Sequence, residues 1–180
     1  AVLVVRLRKA TSVRWGRALS QPAAHAVAAD AQVTGAATQR GVGIRDEILL
    51  GNGGFISIAT TGAIELQASG STLSRIDVTD ANGGGEIDIE AGGSVTIAGT
   101  LQARGNDTEA DGGDIFVQAG GDVPITAALS AKGGSDAGGG SITVLSGGTV
   151  SVTQPMDVSG GEFDGGDIDL EGKGNVTVAP

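Results

Sequence analysis

From residue 53 onward, apolar residues alternate with polar ones in short runs, and these runs recur at fixed distances after paired glycines. The pairs begin at Gly53, Gly84, Gly112, Gly139 and Gly165, so the repeating units are 26–31 residues long. Alternation with a period of two predicts β-strands, because successive side chains of a strand point to opposite faces. Each unit is therefore predicted to hold three short strands separated by corners.

The apolar positions of these strands predict one continuous core. They are the 28 residues Ile56, Ile58, Ile64, Leu66, Ile76, Val78, Ile87, Ile89, Val95, Ile97, Leu101, Ala103, Ile115, Val117, Val123, Ile125, Leu129, Ala131, Ile142, Val144, Val150, Val152, Met156, Val158, Ile168, Leu170, Val176 and Val178. Three short strands cannot bury a face alone, so the units must stack. We predict an all-β fold, a single-stranded parallel β-helix of about five coils. We expect it to be right-handed, because parallel crossovers overwhelmingly are.

The repeat divides the chain into two regions, because it begins only near residue 51. Residues 51–180 are predicted to form the β-helix, and residues 1–50, which do not share the repeat, a basic and alanine-rich lead-in or cap. Within the lead-in, residues 20–31 suit a short helix. Residues 70–75 are an insertion in the first unit, and Pro124 is expected to interrupt a strand because it cannot donate to the ladder. The fifth unit stops before its third strand, so we expect the chain to be an excerpt of a longer protein.

Glycine is abundant, at 33 of 180 residues, and it is concentrated at the predicted corners. Corners between strands often need a positive φ, which only glycine adopts at little steric cost. We therefore expect the glycine pairs to occupy left-handed backbone conformations.

The net charge of −10 is distributed unevenly, because the N-terminal segment is basic and the repeat is acidic. Residues 1–17 contain five basic residues and no acid, whereas residues 51–180 contain four basic and eighteen acidic residues. A basic arm can bind nucleic acid or an anionic membrane, but this segment has one aromatic residue and no binding motif. We expect no nucleic-acid partner. No apolar run approaches the roughly 18 residues of a transmembrane segment, so we expect no membrane insertion. The chain has no cysteine, which excludes disulfides and thiol chemistry.

The repeat resembles a known group of proteins. Its unit GGxIxIxAGGxVxIxGxLxAxG, as in residues 84–105, resembles the glycine-rich repeats of filamentous-haemagglutinin-like exoproteins and autotransporter passenger domains, which are large secreted bacterial β-helix proteins. The resemblance covers about residues 51–180. It implies a secreted or cell-surface stalk with an adhesive role. Its partners would be the adjoining coils of a longer chain and a host or cell-surface receptor or glycan. The NPNG and NPNL motifs of two-partner secretion domains are absent from the chain.

Acidic residues in the loops after the third strands suggest a second hypothesis, a repeat stiffened by calcium. Carboxylates from successive coils could supply the oxygen ligands that calcium requires. The candidates are Asp107, Glu109, Asp111, Asp136, Glu162 and Asp164. The alternative is a solvated acidic rim that keeps the rod soluble. No other cofactor is expected.

Catalysis is a third hypothesis, because many polysaccharide lyases and hydrolases are parallel β-helices, but fold alone does not establish function. Asp88 and Asp169 share an outward column but are three coils apart, roughly 14 Å at the usual strand spacing. That is beyond the reach of the roughly 5–9.5 Å carboxylate pair of a glycosidase. His25 is the single histidine and lies outside the repeat. We therefore expect no enzymatic activity and nominate no catalytic residue.

Overall fold

The protein, described here by a computed structural model, is all-β. The structure describes residues 2–8, 30–36, 42–44, 47–49, 53–69, 72–73 and 75–179, with side chains at 53–67 and 75–179. Within these ranges there is no helix long and apolar enough to cross a membrane. Of the helix predicted over 20–31, residues 20–29 lie outside the described residues, and the last two belong to a strand.

Twenty strands make up the described fold. In chain order they are β1 (Val2–Arg8), β2 (Asp30–Ala36), β3 (Val42–Ile44), β4 (Glu47–Leu49), β5 (Phe55–Thr60), β6 (Ile64–Leu66), β7 (Ala68–Ser69), β8 (Thr72–Leu73), β9 (Arg75–Asp77), β10 (Glu86–Ala91), β11 (Val95–Ile97), β12 (Thr100–Gln102), β13 (Asp114–Ala119), β14 (Val123–Ile125), β15 (Leu129–Ser130), β16 (Ser141–Ser146), β17 (Val150–Val152), β18 (Met156–Asp157), β19 (Asp167–Gly172) and β20 (Val176–Val178).

The strands stack into three long sheets, one for each strand of the repeat. Sheet A has the order β19-β16-β13-β10-β5-β1-β2, sheet B the order β20-β17-β14-β11-β6-β3, and sheet C the order β18-β15-β12-β9-β4. Pairing between successive units is parallel throughout. We name the units coil 1 (β5, β6, β9), coil 2 (β10–β12), coil 3 (β13–β15), coil 4 (β16–β18) and coil 5 (β19, β20). This confirms the predicted parallel β-helix, with four complete coils and two strands of a fifth.

The core is the one that the alternation predicted. Of the 28 predicted inward residues, the 22 from Ile56 to Val152 are buried, and none is more than 2% exposed. The remaining six lie in β18 to β20 or just after β18, where fewer coils stack on them, and Val178 at the end is 59% exposed. The sequence pattern missed a further inward column at the end of the sheet A strands, in which Ala91 and Ala119 are buried between Thr60 and Ser146.

Strands of the lead-in continue the sheets. Val42 pairs with Ile64 in sheet B, and Ile48 with Ile76 in sheet C, both in parallel. Among the described strands of sheet A, only β1 runs the other way. It is antiparallel to β5 and to β2, so β2 again runs in the direction of the repeat strands. Residues 42–44 and 47–49 thus extend two sheets in the register of the repeat, although this part of the sequence lacks its glycine pairs.

The glycine pairs are required for a reason other than the predicted one. Among the described glycines, positive φ occurs at Gly53 (56°) and Gly83 (132°), so the expectation is wrong for the pairs that begin at 84, 112, 139 and 165. The second glycine of each of these pairs lies instead where successive coils approach backbone to backbone. A Cβ atom on Gly113 would collide with the carbonyl oxygen of Gly85, and one on Gly140 with that of Gly113.

Pro124 does not break its strand, but it shortens the ladder on one side. Strand β14 pairs with β17 over three residues, whereas its pairing with β11 is reduced to Ile97 and Ile125. Proline has no N–H to donate toward the earlier coil, which accounts for the asymmetry. The insertion in coil 1 forms a short antiparallel pair between β7 and β8.

Candidate functional site

The loops that carry the predicted site residues follow the third strand of each coil and lead back to sheet A. We call them the corner loops, residues 104–111 after β12, 132–138 after β15 and 159–165 after β18. All six acidic residues of the calcium hypothesis lie in them, and all six side chains are exposed. The structure therefore places the acids on one rim of the solenoid, as the repeat predicted.

Hydrogen bonds between coils hold these loops in place. The Asp111 carboxylate accepts a hydrogen bond from the backbone N–H of Gly138 at 2.9 Å, so one of the candidate ligands joins two corner loops. The backbone N–H of Glu162 donates to the carbonyl oxygen of Ser135 at 2.7 Å. These bonds give the loops a stacked order of their own beside the sheets.

Among the described side chains, no three histidines, aspartates or glutamates come together in a group that could hold a metal ion. The carboxylate of Asp107 accepts a hydrogen bond from the neighbouring Thr108 N–H at 2.8 Å, within its own loop. The calcium hypothesis for these six residues stays a prediction, to be tested by measurement.

An open cavity of about 400 Å³ lies between the corner loops of coils 2 and 3. Residues 104–108 and 132–135 line it, including Arg104 and Lys132. Neither corner loop alone indicates this feature, because each of the two cations comes from a different coil. The sequence does contain a signal for this pair of cations. Arg104 and Lys132 are 28 residues apart, which is the same offset that separates paired residues of β12 and β15.

The two cations influence a carboxylate on the next coil. Hydrogen bonding from Ser159 lowers the pKa of Asp157, and the positive charges of Lys132 and Arg104 add smaller contributions in the same direction. The backbone N–H of Ser159 lies 3.0 Å from the carboxylate. In coil 1 the corresponding carboxylate, Asp77, lies 3.6 Å from the guanidinium of Arg75.

The outer face of sheet A carries a partly buried acid. Burial raises the pKa of Asp88, repulsion from Glu90 and Glu86 raises it further, and a hydrogen bond with Ser57 partly offsets these effects. Phe116 is the in-register neighbour of Asp88 on coil 3 and is itself half-buried. One carboxylate oxygen of Asp88 is buried and has no hydrogen-bond partner among the described residues.

Two acidic residues occupy in-register positions on neighbouring coils, at the first residue of their sheet A strands. Glu86 and Asp114 are in register in sheet A, and both side chains are exposed. The Asp114 carboxylate also accepts a hydrogen bond from the Ser141 hydroxyl at 2.6 Å. Asp88 and Asp169, in contrast, are separated by two intervening strands, as predicted.

Comparison with protein-family models, with curated proteins and with solved structures finds no match to this chain. The chemistry open to the chain therefore lies in its own residues. They offer an acidic rim, a cavity with two cations, and three sheets that run through every complete coil.

Proposed function

We propose that this chain is a structural and adhesive stalk segment of a large secreted or surface-displayed bacterial exoprotein, without catalytic activity of its own. The observation that carries the proposal is the preserved register. Each complete coil adds one strand to each of the three sheets without a slip, so the molecule grows in one direction by a fixed step. At about 4.8 Å for each strand, five coils span roughly 24 Å.

The mechanism is mechanical. Backbone hydrogen bonds run along the stack, and the aliphatic residues form a continuous buried column at its centre. Glycine corners let successive backbones approach too closely for a side chain. A rod of this kind resists bending because a bend would open ladders or pull core residues apart. It holds a binding module away from the cell, and its partners are adjoining coils and a receptor or glycan on another surface.

Immunolabelling of the source cells tests the proposal. An antibody raised against residues 84–161 is expected to label intact cells, because a surface stalk is accessible without permeabilisation. An antibody against a cytoplasmic protein, which labels permeabilised cells only, controls for leakage. Labelling by the stalk antibody only after permeabilisation would overturn the proposal.

A further inference from the structure

The cavity between the corner loops of coils 2 and 3 brings together two cations that form no ion pair within the described residues, although the Asp157 carboxylate on the next coil interacts with both at longer range. Residues 51–180 contain only four cations, and two of them, Arg104 and Lys132, line this cavity. Within the described part of the chain, neither forms an ion pair, although eighteen acids are available in residues 51–180. Arg75 in coil 1, by comparison, is paired with Asp77.

The register places these two cations side by side. Leu101 pairs with Leu129 and Gln102 with Ser130, and the ladder continues with the N–H of Gly105 donating to the carbonyl of Lys132 at 2.9 Å. Arg104 is therefore directly opposite Lys132 on the next coil. Like charges at opposite positions destabilise a strand pair. An anion between them would turn this repulsion into two attractions.

Arg104 lines the cavity and has an unsatisfied donor. Its Nε atom is buried and has no hydrogen-bond partner among the described residues. Buried polar atoms nearly always have a partner, so an orphaned guanidinium nitrogen beside a cavity needs an explanation. The amide of Asn106 and the hydroxyls of Thr108 and Ser135 also line the cavity, and they too make no side-chain hydrogen bond within the described residues.

We propose that this cavity binds the carboxylate of a sugar acid, either free or as a unit of an acidic polysaccharide. A guanidinium matches the planar geometry of a carboxylate, and the lysine adds a second charge. Asp107 also lines the cavity, so the lining carries a net charge of one positive unit, and Asp157 on the next coil reduces the positive potential further. A weakly positive site favours a monoanion over a dianion such as phosphate. The amide and hydroxyl groups suit the hydroxyls of a sugar ring, and the volume falls within the range of small-molecule sites. The assignment does not depend on the proposed stalk function.

Titration of the whole 180-residue chain with sodium glucuronate, followed by ¹H–¹⁵N NMR, tests the proposal. We expect saturable shifts at the amides of Gly105, Gly133 and Gly134, with millimolar affinity. Glucose, which lacks the carboxylate, is expected to cause none, and acetate and inorganic phosphate are expected to bind more weakly. Galacturonate oligomers distinguish the two sources of the ligand. Tighter binding of the oligomer identifies a polysaccharide, and equal affinity identifies a free sugar acid.

Matched variants locate the site. Arg104→Gln and Lys132→Gln are each expected to weaken glucuronate binding by at least about tenfold. Lys173→Gln removes an exposed cation in coil 5 and is expected to leave binding unchanged. Lys132 is exposed, so its variant carries the test if Arg104→Gln does not fold, as judged by circular dichroism.

Three outcomes would overturn the assignment. They are no saturable shift at these amides, equal affinity for acetate or phosphate, and equal weakening by all three variants. The immunolabelling result is independent of each of them, so a failure here leaves the stalk proposal standing.

Discussion

Replacement of Gly113 with alanine tests whether close backbone approach is what requires the glycine pairs. An added Cβ would collide with the carbonyl oxygen of Gly85 and would lie 2.6 Å from the carbonyl carbon of Gly84. Both are backbone atoms of the preceding coil, so no side-chain rotation relieves the contact. Coils 2 and 3 must therefore move apart at this corner.

The size of the effect follows from what such a movement breaks. The N–H of Gly113 donates to the carbonyl of Ala103 at 2.7 Å, and the N–H of Asp114 donates to that of Gly85 at 3.0 Å. Loss of two hydrogen bonds costs about 2 kcal/mol, and overpacking adds about 1–3 kcal/mol. The lower entropy of the unfolded alanine chain offsets about 0.4–1 kcal/mol. We expect a net loss of about 3 kcal/mol in the free energy of unfolding.

Gly138→Ala is the matched control. A Cβ there would lie 3.5 Å from the Asp111 carboxylate and 3.7 Å from the Asp164 carbonyl oxygen, which is ordinary contact. Its φ lies outside the left-handed region, so alanine should change stability by less than about 1 kcal/mol. Urea unfolding, followed by circular dichroism, compares the midpoints of the two variants and the parent protein. A Gly113→Ala midpoint equal to or above that of Gly138→Ala would refute the reasoning.

Three further predictions concern charge. Asp88→Asn should raise the melting temperature at neutral pH. Burial and the charges of Glu90 and Glu86 raise the pKa of Asp88, so ionisation of this carboxyl destabilises the folded protein as pH rises through that pKa. A lower melting temperature of the variant would contradict this. Asp122→Ala should lower the urea midpoint at neutral pH, because the Asp122 carboxylate accepts hydrogen bonds from the N–H and hydroxyl of Thr149 at 2.7 and 2.9 Å. These bonds lower the pKa of Asp122 in the folded protein. Its contribution to the free energy of unfolding is therefore present above the ordinary carboxyl pKa and is lost as pH falls through the lowered pKa. If the difference in urea midpoint between variant and parent does not shrink in acid, this explanation is wrong. Since no three described acids or histidines gather around one point, millimolar calcium and magnesium should change the melting temperature equally, and a rise specific to calcium would instead support the calcium hypothesis.

The strands and the core were accessible from the sequence because both depend on local alternation. Ile87 and Ile89 flank a polar residue within one strand, and the same pattern returns after each glycine pair. The reason for the glycines was not accessible in this way, because the atom that excludes a side chain at Gly113 belongs to the preceding coil. A glycine pair at a corner indicates that a side chain is not tolerated there. It does not tell whether the reason is a left-handed backbone conformation or close contact with the backbone of the preceding coil.

The cavity was missed for a related reason. Arg104 and Lys132 are 28 residues apart, and each read singly is an ordinary surface cation. They become neighbours only when the register of coil 3 on coil 2 is known, and the orphaned Nε of Arg104 is visible only in three dimensions. In a repeat fold, chemistry built across coils is better sought by comparing the same offset in successive units than by inspecting local motifs.

Some acidic residues of the repeat also hold neighbouring coils together, which a count of charges does not reveal. Asp111, Asp114 and Asp122 each accept a hydrogen bond from a residue 27 positions later. All three bonds therefore join coil 3, or the corner that leads into it, to the next coil along the stack. A carboxylate that accepts such a bond adds cohesion between coils, whereas an unpartnered one adds only repulsion. Asp111 thus joins two coils through one carboxylate oxygen, and its other oxygen is the one left to a cation. Among the described residues no three acids or histidines gather to supply the several oxygen ligands that calcium takes, so we expect weak metal binding at a rim that is nonetheless rich in acid.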